Sequence, residues 1–109
     1  LEVFYYLAVH NNIEPIIIDA NDLLDDPKRM ITKLCNKLDI KFTKRMLSWP
    51  AGKRESDGVW GPYWYENVYK STKFIAPPKK SINLKKSLLP IYRECLSNYK
   101  FLFEKRLKL

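Results

Sequence analysis

The most chemically loaded stretch of this 109-residue chain runs from Met46 to Tyr65. Lys53 and Arg54 stand side by side there. All three glycines of the chain (Gly52, Gly58 and Gly61) lie in the same loop, and Trp49, Trp60 and Trp64 flank the group. Adjacent basic side chains, with backbone N–H groups that glycine lets approach closely, can hold a phosphate. An indole or phenol ring can stack on a base or pack beside an acceptor ring. The competing reading is a tryptophan-rich plug beneath a loop, with Lys53 and Arg54 merely solvated. The stretch is not a Walker-type phosphate loop. Arg54 stands where Ser or Thr is required, and Leu47 stands where the leading glycine should be.

Other reactive residues offer less. His10 is the only histidine, and no Ser or Cys can be placed beside it from the sequence, so no nucleophile–base pair can be argued and no catalytic residue is assigned. The acidic run Asp19, Asp22, Asp25, Asp26 lacks the glycine turn and distal Glu of a calcium loop. Structural roles at a strand end and a helix cap are expected of it, and no metal site. Cys35 and Cys95 sit among apolar residues at helical spacing and read as buried free thiols, since no second Cys or His stands at zinc-ligand spacing. Free thiols point to a reducing, intracellular setting such as the cytoplasm.

These residues need elements to position them. Leu1, Val3, Phe4, Leu7 and Ala8 recur with a helical period, and Asn11-Asn12 ends that helix. Pro15-Ile16-Ile17-Ile18-Asp19 is a β-branched apolar run that predicts one short strand, about 15–19, covered on both faces. A helix followed by a buried strand is half of a parallel α/β unit. No second convincing strand follows, so the rest of a sheet is expected outside the chain. The opening without Met, inside an apolar pattern and with no secretory leader, likewise reads as a piece of something longer.

Further along, Asp26 can cap a helix whose first position Pro27 suits. Met30, Ile31, Leu34, Cys35 and Leu38 form its apolar stripe, and Asp39 ends it in a left-handed conformation. Thr43 is expected to cap a short turn carrying Met46 and Leu47. A loop then runs from Trp49 to Gly61, and Pro62 starts a helix reaching Tyr69. Pro77-Pro78 predicts an extended linker before Ser81. Ser87 is expected to cap a last helix with a buried stripe of Ile91, Cys95, Leu96, Tyr99, Leu102, Phe103 and Leu107. Its outer face carries Arg93, Lys100, Lys105, Arg106 and Lys108. As it stands, the chain is expected to be mainly α-helical with the one strand.

Composition sets the outer bounds. At 13.0 kDa there is room for one small domain. A hydrophobic content of 46% with 14% aromatics rules out a disordered tail. No apolar run approaches the roughly 18 residues needed to span a bilayer. The net charge of +8 is uneven: residues 1–69 balance to −1 and residues 70–109 carry +9. Such a basic face can attract nucleic acid, anionic membrane or a phosphorylated ligand, or can simply be a solvated helix surface. Nucleic acid is disfavoured, because the aromatics of the last helix lie on its apolar stripe and build no stacking platform.

Taken together, the ordered motifs resemble the sulfotransferase-like family. Pro15 to Leu24 followed by Asp26-Pro27 looks like the family's strand and "E/D-D-L-x-x-D-P" helix start. Leu34-Cys35 through Asp39-Ile40, Met46 to Gly52, Gly58-Val59-Trp60, Trp64-Tyr65 and Val68 to Phe74 continue the pattern of one branch of it. The similarity covers nearly the whole chain but only the C-terminal part of the family's domain. It implies an α/β P-loop-type fold of which residues 1–109 are a C-terminal fragment, lacking the nucleotide-loop half upstream. It also implies 3′-phosphoadenosine-5′-phosphosulfate as donor and transfer of a sulfuryl group to a hydroxyl or amine, on a small-molecule or carbohydrate acceptor. The missing N-terminal half of the same domain is then this segment's partner, and the isolated chain is expected to be inactive. Lys53 to Trp60 is similar to the family's "R-K-G-x-x-G-D-W" segment, which contacts the nucleotide's 3′-phosphate. Lys53, Arg54, Gly58 and Trp60 are the donor-binding residues this implies. Glu55 stands where glycine is usual, Val59 where Asp is usual, and Lys73 where this branch has glycine. The alternative function is a non-catalytic basic helical module that binds nucleic acid or anionic membrane through residues 70–109.

Overall fold

The helix expected at the start is present as α1, Glu2–His10. Asn12 follows it with φ of 49°, and the Ile13 N–H turns back to the Leu7 carbonyl at 3.2 Å. Asparagine tolerates this left-handed region better than most residues, which is why the pair of asparagines stops the helix here. The computed structural model describes residues 1–76, 78, 81 and 83–109. By contacts along the chain it divides into two compact units: residues 1–20 with 78–108, and residues 21–77 with Leu109.

In the first unit, α1 meets α6, Leu89–Glu104, through rings. Phe4 lies edge-on to Phe101 with centroids 5.8 Å apart, and Tyr5 lies 5.7 Å from the same ring. The strand expected at 15–19 is not formed. These residues run without a ladder partner, and Ile16 is 37% exposed. The Ile17 carbonyl accepts one bond from the Leu107 N–H at 2.8 Å, and the Asp19 carboxylate accepts from the Tyr99 hydroxyl at 2.8 Å. A strand exists only by pairing, and among the described residues no neighbouring strand is offered to this one.

The last helix also departs from expectation. A 3-10 turn, Lys86–Leu88, precedes α6, so Ser87 lies inside that turn and Leu88 takes the cap position without a side-chain bond. The C-terminal half of the apolar stripe is half-buried at Leu102, Phe103 and Leu107. Of the N-terminal half only Leu96 is half-buried: Ile91 is 63% exposed, and Cys95 is exposed rather than buried. The expected Pro77-Pro78 linker lies in part outside the described residues.

The second unit is built on α3, Pro27–Lys37, with the short α2, Ala20–Asp25, before it. Asp26 caps α3, its Oδ1 accepting from the Arg29 N–H at 3.0 Å, and Pro27 occupies the first turn. Met30 and Cys35 are its buried side chains, and the Cys35 thiol lies 3.6 Å from the Met46 sulfur on the 3-10 turn Lys44–Leu47. Thr43 precedes that turn without a side-chain cap. Asp39 has φ of 53°, and the Ile40 N–H bonds the Cys35 carbonyl at 2.8 Å, which is the long bond of a Schellman ending. The single helix expected from Pro62 to Tyr69 is two short pieces, α4, Gly61–Trp64, and α5, Glu66–Lys70, joined at Tyr65. Helix accounts for 58% of the described chain, with almost no strand.

Candidate functional site

Two motifs that are separate in the sequence are stitched together in the second unit. Ser48 and Lys73 form an antiparallel bridge, the Trp49 N–H bonds the Thr72 carbonyl at 2.9 Å, and the Gly52 N–H bonds the Tyr69 carbonyl at 2.8 Å. The Trp49 indole N–H donates to the Ser71 hydroxyl at 3.1 Å, which in turn donates to the Val68 carbonyl at 2.8 Å. Trp49 also meets Phe74 edge-on at 5.2 Å. Residues 48–52 therefore ride on residues 68–74, and the loop that follows leaves from a fixed point. Gly52 makes that exit with φ of 113°, a conformation only glycine adopts without strain.

The loop is then folded on itself. The Arg54 N–H donates to Asp57 Oδ2 at 2.8 Å, closing the 3-10 turn Glu55–Asp57, and the Arg54 guanidinium reaches back to the Pro50 carbonyl at 3.3 Å. Lys53 Nζ stands 6.0 Å from the centre of the Tyr69 ring. Both basic side chains are exposed on one turn. Gly58 leaves the turn at φ of 67° with open space around it. Buried Gly61 lies against the Tyr69 hydroxyl and Asp57, so a methyl group there would collide with the phenol and crowd Asp57. Desolvation, then the negative charge of Asp57 and its hydrogen bond with the phenol, hold Tyr69 above the ordinary tyrosine range; Arg54 opposes the shift.

Lys53, Arg54, Gly58 and Trp60 thus lie within one short, braced segment, whose backbone presents the two cations together. Trp60 is 64% exposed and Trp64 76%, their rings 5.9 Å apart, so these two are not a plug under the loop. Trp49 alone of the three tryptophans is half-buried. Sequence reasoning missed Asp57 and Tyr69. The three-residue spacing from Arg54 to Asp57 is a turn-capping signal that could have found the first. Nothing local announces Tyr69, whose role depends on the fold bringing α5 under the loop.

Within the acidic run Asp26 has the capping role expected of it, whereas Asp19 ends no strand and instead accepts from the Tyr99 hydroxyl. Among the described residues, no group of three His, Cys, Asp or Glu side chains is arranged to hold a metal. Nor is any described helix long and apolar enough to cross a membrane. In the basic third, Lys105 Nζ stands 5.2 Å from the Phe101 ring centre, Arg106 stacks 3.4 Å from that of Phe103, and Lys70 pairs with Glu66 at 2.7 Å. Three of its cations are thereby engaged within their own units.

The loop is thus braced and carries a basic pair beside exposed tryptophans, and comparison with known proteins supplies the class. A family model described as a sulfotransferase domain matches residues 4–99, and the chain belongs to that family. Among individual proteins, it is similar to branched-chain-amino-acid aminotransferase-like protein 2 of Arabidopsis thaliana, 40% identical over 88 residues that make up 81% of this chain and 16% of that protein. It is likewise similar to branched-chain-amino-acid aminotransferase-like protein 1 of the same plant, 39% identical over 93 residues, 79% of this chain and 17% of that one. The chain spans about a sixth of the length of these curated relatives. No solved structure matches it.

Proposed function

We propose that the protein carrying this segment transfers a sulfuryl group from 3′-phosphoadenosine-5′-phosphosulfate to a hydroxyl or amine of a small-molecule or carbohydrate acceptor. In this reading residues 1–109 are the C-terminal segment of a single P-loop-type domain, and the nucleotide-loop half precedes them. The single observation that supports it most is the Lys53–Trp60 turn, held by its own hydrogen bonds with both cations exposed.

The residues present suit a nucleotide phosphate. Lys53 offers a point charge, Arg54 a planar fork with donors beyond the one given to Pro50, and Gly58 a backbone that a phosphate can approach. Trp60 leaves an indole face open beside them. Glu55, exposed in the same turn, opposes an anion there. The donor, when bound, supplies the activated sulfuryl group. This segment's part is to bind and orient the nucleotide end, so that the transfer starts from a fixed geometry. No general base is assigned among these residues, and the upstream half is where we place it.

The test is titration of the full-length protein with 3′-phosphoadenosine-5′-phosphate. Lys53→Ala and Arg54→Ala should each weaken binding about tenfold, the loss expected for one charge-assisted hydrogen bond. Unchanged titration curves for both variants would refute the assignment.

A further inference from the structure

We propose that Asp57 and Tyr69 are positioning residues for the phosphate-binding pair, holding the Lys53–Arg54 turn in its binding geometry without touching the ligand. The proposal rests on the reading of that turn given above and names what makes it work.

The reasoning starts from entropy. A loop on the surface with two long cationic side chains is mobile by default, and an anion that binds it must order it. Here that ordering is already in place, and apart from the Arg54–Pro50 bond the contacts described for it converge on two residues. Asp57 Oδ2 takes the Arg54 N–H, and the Asp57 N–H returns to the Arg54 carbonyl at 3.2 Å, so the turn is closed at both ends. Tyr69 holds the loop at three further points. Its carbonyl anchors Gly52, its ring lies beneath Lys53, and its hydroxyl lies against Asp57 and Gly61. The Tyr69 N–H is bonded to the Tyr65 carbonyl at 2.8 Å, which ties this residue to the start of α5 rather than to the loop. Asp57 is half-buried, while Lys53 and Arg54 are exposed. The carboxylate therefore spends its acceptor capacity inward, and the cations keep their free donors outward.

The sign of the effect separates this role from plain electrostatics. A carboxylate on the same turn as two cations lowers the local positive potential, so if Asp57 acted only as a charge, removing it would tighten the binding of any nucleotide phosphate. If it acts by position, removing it loosens the turn and weakens binding, and the weakening is confined to the phosphate that Lys53 and Arg54 hold.

The experiment is calorimetric titration of the full-length protein with 3′-phosphoadenosine-5′-phosphate and, separately, with adenosine 5′-phosphate, which lacks the 3′-phosphate. Asp57→Ala should weaken the first about five- to tenfold and leave the second within about twofold. Asp57→Asn, which keeps an oxygen for the Arg54 N–H, should restore most of the loss. Tyr69→Phe, which keeps the ring under Lys53 and the carbonyl to Gly52, should show a smaller loss of the same selectivity. Tighter binding of both nucleotides by both Asp57 variants, or equal weakening of both by Asp57→Ala, overturns the positioning role. If Lys53→Ala and Arg54→Ala leave the first titration unchanged, the phosphate reading itself falls, and this inference with it.

Discussion

The two units of this chain contain helices of the same amphipathic design with opposite outcomes. In residues 21–77, the stripe of α3 is met: Met30 and Cys35 are buried, Met46 comes to the thiol, and both ends of the helix are closed by backbone and side-chain bonds. In residues 1–20 and 78–108, the stripe of α6 is met only toward its C-terminus, while Leu88, Ile91, Tyr92 and Cys95 face outward. Phe4 and Tyr5 hold this unit together through the Phe101 ring, the first edge-on and the second tilted, and none of its described side chains is fully buried. An apolar stripe at helical spacing states a demand for a partner. Whether the demand is met depends on what the rest of the fold brings to it.

The comparison can be broken experimentally, beginning with its firmest claim. Met30→Ala should cost about 2–5 kcal/mol of unfolding free energy, because it leaves a cavity where, alone among the described residues, a side chain is completely enclosed. Urea denaturation of the protein gives the number, and a loss below about 1 kcal/mol would mean that the second unit has no more of a core than the first. Asp26→Ala should cost roughly 1 kcal/mol by freeing the Arg29 N–H, read in the same way. Smallest of all should be Ile91→Ser, within about 0.5 kcal/mol, since its side chain is already in water. A large loss there would show that the exposed half of α6 is covered in solution and would bring the two units into line.

Much of the local structure was legible in residue types. The Asp26-Pro27 start, the asparagine stop after α1 and the left-handed Asp39 each follow from the chemistry of one or two residues and their immediate neighbours. So was the place of the candidate site, because two cations, three glycines and three tryptophans within one short stretch need no tertiary information to be noticed. The same is true of the family, whose motifs are carried in order along the chain.

What could not be read was anything that needs a second partner from elsewhere. Pro15 to Asp19 has the composition of a buried strand, yet a strand is made by the hydrogen bonds of a neighbour, and none is supplied among the described residues. Cys95 has the spacing of a core residue and faces water, because burial belongs to the packing and not to the period. The bracing of Lys53 and Arg54 by Asp57 and Tyr69 has the same origin. A phenol twelve residues beyond Asp57 reaches it only after α4 and α5 turn the chain back under the loop. Residue chemistry acts over a turn or two of backbone, and the longer reach that buries a thiol or stiffens the Lys53–Arg54 loop exists only once the chain has folded.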